Sequence, residues 1–150
     1  MKRWLLTLLM MAALLPAAQA AQTTLMARSQ MPFDAALAKV QEVLAEHGYT
    51  VAHIQKCDGG MAQFGYHSDK YQLVFFGKLE EVRRVSHSHP EMIPFLPLKL
   101  AVFAEHQETL VVALDPLELG RYINDADLQI QLARWHSDLR SILQEMREAR

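Results

Sequence analysis

The sequence predicts an α+β domain in which a single antiparallel sheet buries two main helices on one face. Three observations carry this. Amphipathic helical stripes lie near both ends of the chain after its first twenty residues, and three strand-like runs, YQLVFF, LKLAVFA and TLVVAL, lie between them. Only Glu105 to Glu108 separate the last two runs, a spacing that suits an antiparallel hairpin and leaves no room for a crossover helix.

The elements follow in order. Residues 21–24 (AQTT) form a short lead, and Leu25 to Ser29 is a plausible first strand. Pro32 suits the first turn of a helix, with Asp34 behind it to complement the helix dipole. Phe33, Leu37, Val40 and Leu44 then share a face that Ala36 and Val43 widen, and Gly48 supplies the stop. Tyr49 to Ile54 is rich in β-branched and aromatic residues and reads as the second strand. The polar, glycine-bearing stretch KCDGGMAQFGYHSDK is a long connection with a frayed strand around Met61 to Tyr66. Strands are expected at Tyr71 to Phe76, Leu98 to Ala104 and Thr109 to Leu114. Between Phe76 and Leu98, LEEVRRVSH fits a short helix, whereas the three prolines of HPEMIPFLP stop it and give an ordered loop. Asn124 or Asp125 can cap a last helix, in which Leu128, Leu132, Trp135, Leu139, Ile142, Leu143 and Met146 form one stripe. Trp135 therefore reads as core.

Residues 1–20 have the pattern of a secretory signal peptide: Lys2 and Arg3, an apolar run from Trp4 to Leu15, then Pro16 and the small-residue triplet Ala18-Gln19-Ala20. Cleavage is expected after Ala20. The apolar run is well short of the roughly 20 residues that cross a hydrocarbon core, and no cysteine stands near the cut for lipid attachment. Export is the expectation, to the periplasm rather than fully outside the cell, with residues 21–150 as a single domain. Loss of Lys2 and Arg3 takes the formal net charge from −2 to −4, so charge gives no reason to expect nucleic acid or anionic lipid as a partner. Cys57 is the only cysteine and excludes an intrachain disulfide. It reads as a buried inert thiol, a reactive one, or a bridge to a second copy in a homodimer.

The stretch YQLVFFGK, followed by FLPLKLAVFAEHQETLVVALDPLEL, resembles the family known as domain of unknown function 302. The likeness rests on Phe76-Gly77, on Leu96-Pro97-Leu98-Lys99 and on Asp115-Pro116, and FDAALAKVQEVLAEHGYTV is similar to that family's first helix and second strand. It implies strand, helix, four strands and helix, in an architecture similar to TATA-box-binding proteins, over about Leu25 to Leu119 with the helix of residues 124–150 appended. The resemblance implies no activity. Lys78-Leu79 stands where many relatives have Asn-Pro, and no Asp-His pair is evident around Lys56-Cys57-Asp58. No catalytic residue is carried over.

Two clusters could carry chemistry. His87, His89, Glu91 and Met92 offer imidazole, carboxylate and thioether donors suited to copper or zinc, although an extended His-x-His pair diverges unless the backbone turns. A solvated helix exit is the plainer reading. His53, Cys57 and His67 would form a soft metal site or an activated thiol if the loop after the second strand folded back. Glu80-Glu81 and Arg83-Arg84 read as neighbours on a wet helix face. No phosphate-cradling loop, nucleophile elbow, zinc-protease helix or dinucleotide fingerprint is present, so the sequence supports no enzyme class. The reading favoured is an exported binding or accessory domain. Its cleft, rimmed by the Pro-rich Met92 to Pro97 loop, would hold a small apolar ligand or a protein partner.

Overall fold

The computed structural model of the chain describes residues 23–57, 59, 62–65 and 69–150. The expected signal peptide, His67, Asp58 and both ends of the expected Met61 to Tyr66 strand lie outside the described residues. Five strands form one antiparallel sheet: β1 (Thr24–Ser29), β2 (Thr50–Lys56), β3 (Tyr71–Gly77), β4 (Leu98–Glu105) and β5 (Glu108–Leu114), in the order β1-β5-β4-β3-β2. Among the described residues four α-helices accompany them: α1 (Phe33–Glu46), α2 (Leu79–Ser88), the one-turn α3 (Pro116–Leu119) and α4 (Ala126–Glu148). The chain thus has the α+β architecture its periodicities predict. None of the described helices is long and apolar enough to cross a membrane.

Strand alternation decides what the helices cover. Val74 and Phe76, Leu98, Leu100 and Val102, and Val111 and Ala113 are buried, while their neighbours along each strand are less so. Register sets Val74 opposite Leu100 and Val102 opposite Val111, so these side chains form one continuous apolar face. Against it lie Phe33, Ala36, Val40, Val43 and Leu44 of α1 and all seven apolar residues of the α4 stripe. Buried apolar area of this kind is the main stabilising term.

Local devices explain the joints. Gly48 adopts φ 75° after α1, a left-handed conformation that turns the chain into β2. A Cβ at Gly77 would stand 2.8 Å from Val82 Cγ2, so only glycine lets α2 begin so soon after β3. Asp125 caps α4 by accepting from Leu128 N at 2.8 Å.

Three details differ from expectation. Ala62–Phe64 is a 3-10 turn where a frayed strand was expected, because nothing pairs with that stretch. Pro90–Phe95 is 3-10 helix rather than loop: the prolines end the α-helix but tolerate tighter i to i+3 turns. The β4–β5 hairpin closes with only His106 and Gln107 outside the strands, His106 at φ 57°.

Glu81 turns partly inward, and Arg84, though exposed on the wet face, reaches across to α4. Glu81 Oε2 accepts from Trp135 Nε1 at 2.7 Å and from the buried Gln131 at 3.2 Å, and Arg84 donates to the Gln131 carbonyl oxygen. Glu80 and Arg83 form the exposed pair that helical spacing predicts. This polar cluster fastens α2 to α4.

A second polar junction joins the β2 end of the sheet to α4. Tyr49 Oη donates to Asp138 at 2.7 Å, Lys78 Nζ reaches the same carboxylate at 3.0 Å, and that ammonium stands 4.4 Å from the Tyr49 ring centre. Burial first, then the hydrogen bond and charge of Asp138, push the Tyr49 hydroxyl far above its ordinary value of 10.0. The folded protein keeps this phenol neutral where the unfolded chain ionises. Its contribution to stability is therefore complete below about pH 10 and is lost as the pH rises beyond that value. Urea midpoints are expected to fall above about pH 10 in the natural protein and to fall less in Tyr49→Phe; parallel pH profiles would contradict this.

Candidate functional site

The segment between α2 and β4 and the segment between β5 and α4 face each other across an open cleft of about 570 Å³. Met92 and Phe95 form one wall, Leu114 the sheet end, and Leu119, Tyr122 and Ile123 the other wall. Each wall has its own anchor. The Met92 side chain is fully buried and fixes the 3-10 segment to the core. On the other side, Asp115 caps α3 through Leu117 N at 3.0 Å, with Pro116 in the first turn, where its missing N–H costs nothing. Gln129 of α4 then donates to Gly120 O at 2.5 Å and to Ile123 O at 3.0 Å, holding the chain beyond α3.

The cleft is apolar at its centre and acidic at its rim. A narrow recess extends it past Pro116 to Leu98 and Leu139. Glu91 and Glu118 supply the carboxylates at the edge, Glu118 in an ion pair with Arg121 at 3.0 Å. Phe95, Leu114 and Tyr122 of the lining are all exposed, Tyr122 at 88%, and Ile93 and Leu117 are exposed nearby in the chain. Exposed apolar residues scattered singly mean little, but a group around a cavity marks a place where something binds.

Of the candidate metal donors among the described residues, only His89 and Glu91 meet. His87 is exposed in the last turn of α2, whereas Met92 lies in the core. His89 faces Glu91 at 3.4 Å and Asp125 at 3.5 Å, one carboxylate on each ring nitrogen. Among the described residues no group of three or more His, Cys, Asp or Glu side chains is placed to hold a metal ion. Cys57 is partly buried just beyond β2, its Sγ 3.6 Å from Gln55 O. His53 precedes it by four positions of extended chain, roughly 13 Å, and packs against Phe75 with ring centres 6.2 Å apart.

The structure also assembles a pair the sequence reading passed over. His136 Nδ1 lies 2.7 Å from Asp115 Oδ1, and the carboxylate is almost wholly buried. The Asp-Pro dipeptide already has the form of a helix cap followed by a first-turn proline, the local signal for α3. Contact with His136, twenty-one residues on, depends on how α4 folds back and has no local signal.

These features place the chain among known proteins. The crystal structure of an uncharacterized conserved DUF302 protein from Bacillus stearothermophilus is similar, with a TM-score of 0.77 and 21% sequence identity over 85% of this chain and 100% of that one. At that identity the likeness is one of fold. No curated protein matches the chain in sequence. The family model described as Domain of unknown function DUF302 matches residues 25–146, from β1 into the last turns of α4, and the chain belongs to that family.

Proposed function

We propose that the chain is an exported binding domain whose apolar cleft holds a small, uncharged apolar molecule. The observation that carries this reading is an open cleft of about 570 Å³ on whose walls Phe95, Leu114 and Tyr122 are exposed. Ligand pockets of about 300–1,000 Å³ with apolar walls and few polar groups are the usual form of such sites. Glu91 and Glu118 at the rim disfavour an anion, and the apolar walls offer no partner to a buried charge of either sign. Lys2 and Arg3, the apolar run to Leu15 and the triplet Ala18-Gln19-Ala20 support export.

A thermal-shift screen tests the reading. Neutral aromatic and lipid-like compounds, N-phenyl-1-naphthylamine among them, are expected to raise the melting temperature of protein produced from the full chain. Phe95→Asp and Tyr122→Ala, both at exposed positions, are expected to retain the fold and reduce the rise. No stabilisation by any neutral apolar compound, or a rise indifferent to both substitutions, would count against the cleft.

A further inference from the structure

A second, chemically opposite groove lies between β1 and α4. It measures about 800 Å³ and is lined by both apolar and charged side chains. Its shape follows from helix periodicity: His136, Arg140 and Gln144 recur every four residues and so form one row along α4. Leu25 and Met26 of β1 line the groove with them.

The two carboxylates and two guanidiniums of this groove balance in number but are not paired with one another. Both carboxylates are engaged, Asp115 by His136 at 2.7 Å and by Leu117 N, Glu145 by His47 at 2.6 Å. One guanidinium is engaged by neutral acceptors only: Arg147 donates to Met26 O at 2.9 Å and to Gln144 Oε1 at 2.6 Å. Arg140 has no hydrogen-bond or ion-pair partner among the described residues, and neither does His136 Nε2. One helical turn separates these two groups. Asp115 holds the imidazole by Nδ1, which leaves Nε2 as an acceptor for a ligand hydroxyl, and the exposed Arg140 presents a planar fork that matches a carboxylate or phosphate. Leu25 and the half-exposed Met26 supply apolar surface beside them.

We propose that this groove binds an organic oxyanion, a carboxylate or a phosphate monoester. The charged head sits on Arg140 beside His136, and its apolar portion lies over Leu25 and Met26. An acidic protein thus carries a local site of the opposite preference, separated from the apolar cleft by the Asp115-Pro116 step. The site stands independently of what the cleft binds.

Backbone amide NMR titrations with octanoate, octyl phosphate and octanol distinguish the two. Octanoate or octyl phosphate, whichever head group the site prefers, is expected to shift the Arg140, Ser141 and Gln144 amides at concentrations at least tenfold below octanol. Arg140→Ala removes an exposed, unpartnered side chain, so the fold is expected to persist while affinity drops tenfold or more; Arg140→Lys is expected to recover part of it. Equal response to octanol and both anions at these amides, or affinity unchanged in Arg140→Ala, would overturn the proposal. Shifts at Leu119 and Ile123 report the cleft separately, so failure of one site is not read as failure of the other.

Discussion

Replacing Trp135 by alanine is expected to lower the unfolding free energy by about 3–5 kcal/mol, the usual cost of deleting a large buried aromatic side chain. Trp135 is 1% exposed and stands in the middle of the α4 stripe. Its removal leaves a cavity between α4 and the elements packed on it, and the indole N–H no longer satisfies Glu81. Against a total stability of about 5–15 kcal/mol for a domain, such a loss is severe. Trp135→Phe keeps most of the ring and gives up the hydrogen bond to Glu81, so about 1–2 kcal/mol is expected. Urea unfolding followed by far-ultraviolet circular dichroism measures both, and a Trp135→Ala midpoint equal to that of Trp135→Phe would show that the indole is not a packing element.

The second large effect belongs to Asp115. Its carboxylate caps α3, holds His136 and is 7% exposed, so alanine leaves an amide and an imidazole without their acceptor. A lost cap and a lost buried partner together cost about 2–3 kcal/mol. The consequence reaches both sites, since α3 forms a wall of the cleft and His136 lines the groove. Asp115→Ala is therefore expected to weaken neutral and anionic ligands alike, whereas Asp115→Asn retains acceptors for both contacts and is expected to be milder. Comparison of urea midpoints and ligand titrations for the two variants checks this; an alanine variant as stable as the asparagine one would contradict the dual role.

Much of the fold is legible in the sequence because its signals are local. The stripe from Leu128 to Met146 and the alternating runs of β3, β4 and β5 depend on 3.6- and 2-residue periods, and both survive into the structure. The Pro-rich segment from Met92 could be recognised as a rim, since prolines and exposed apolar residues at a helix exit leave few other roles. The opposite wall was not legible, because Leu119, Tyr122 and Ile123 meet that rim only through the placement of α3 against α4. The His136 contact with Asp115 is hidden for the same reason. Spacing drew attention to His87, His89, Glu91 and Met92, yet residues close along the chain diverge when a helix gives way to a 3-10 turn. Met92 turned out to be a core residue, a role in which methionine's flexible side chain fills irregular space.

The central claim is that the cleft between Pro90–Phe95 and the chain beyond β5 is a ligand site. Backbone amide shifts mapped during titration with N-phenyl-1-naphthylamine test it most directly. Saturable shifts are expected at Met92, Phe95, Leu114, Leu119 and Ile123, diminished by Phe95→Asp. Saturable shifts confined to the opposite face of the sheet, or none at these residues at millimolar probe, would contradict it.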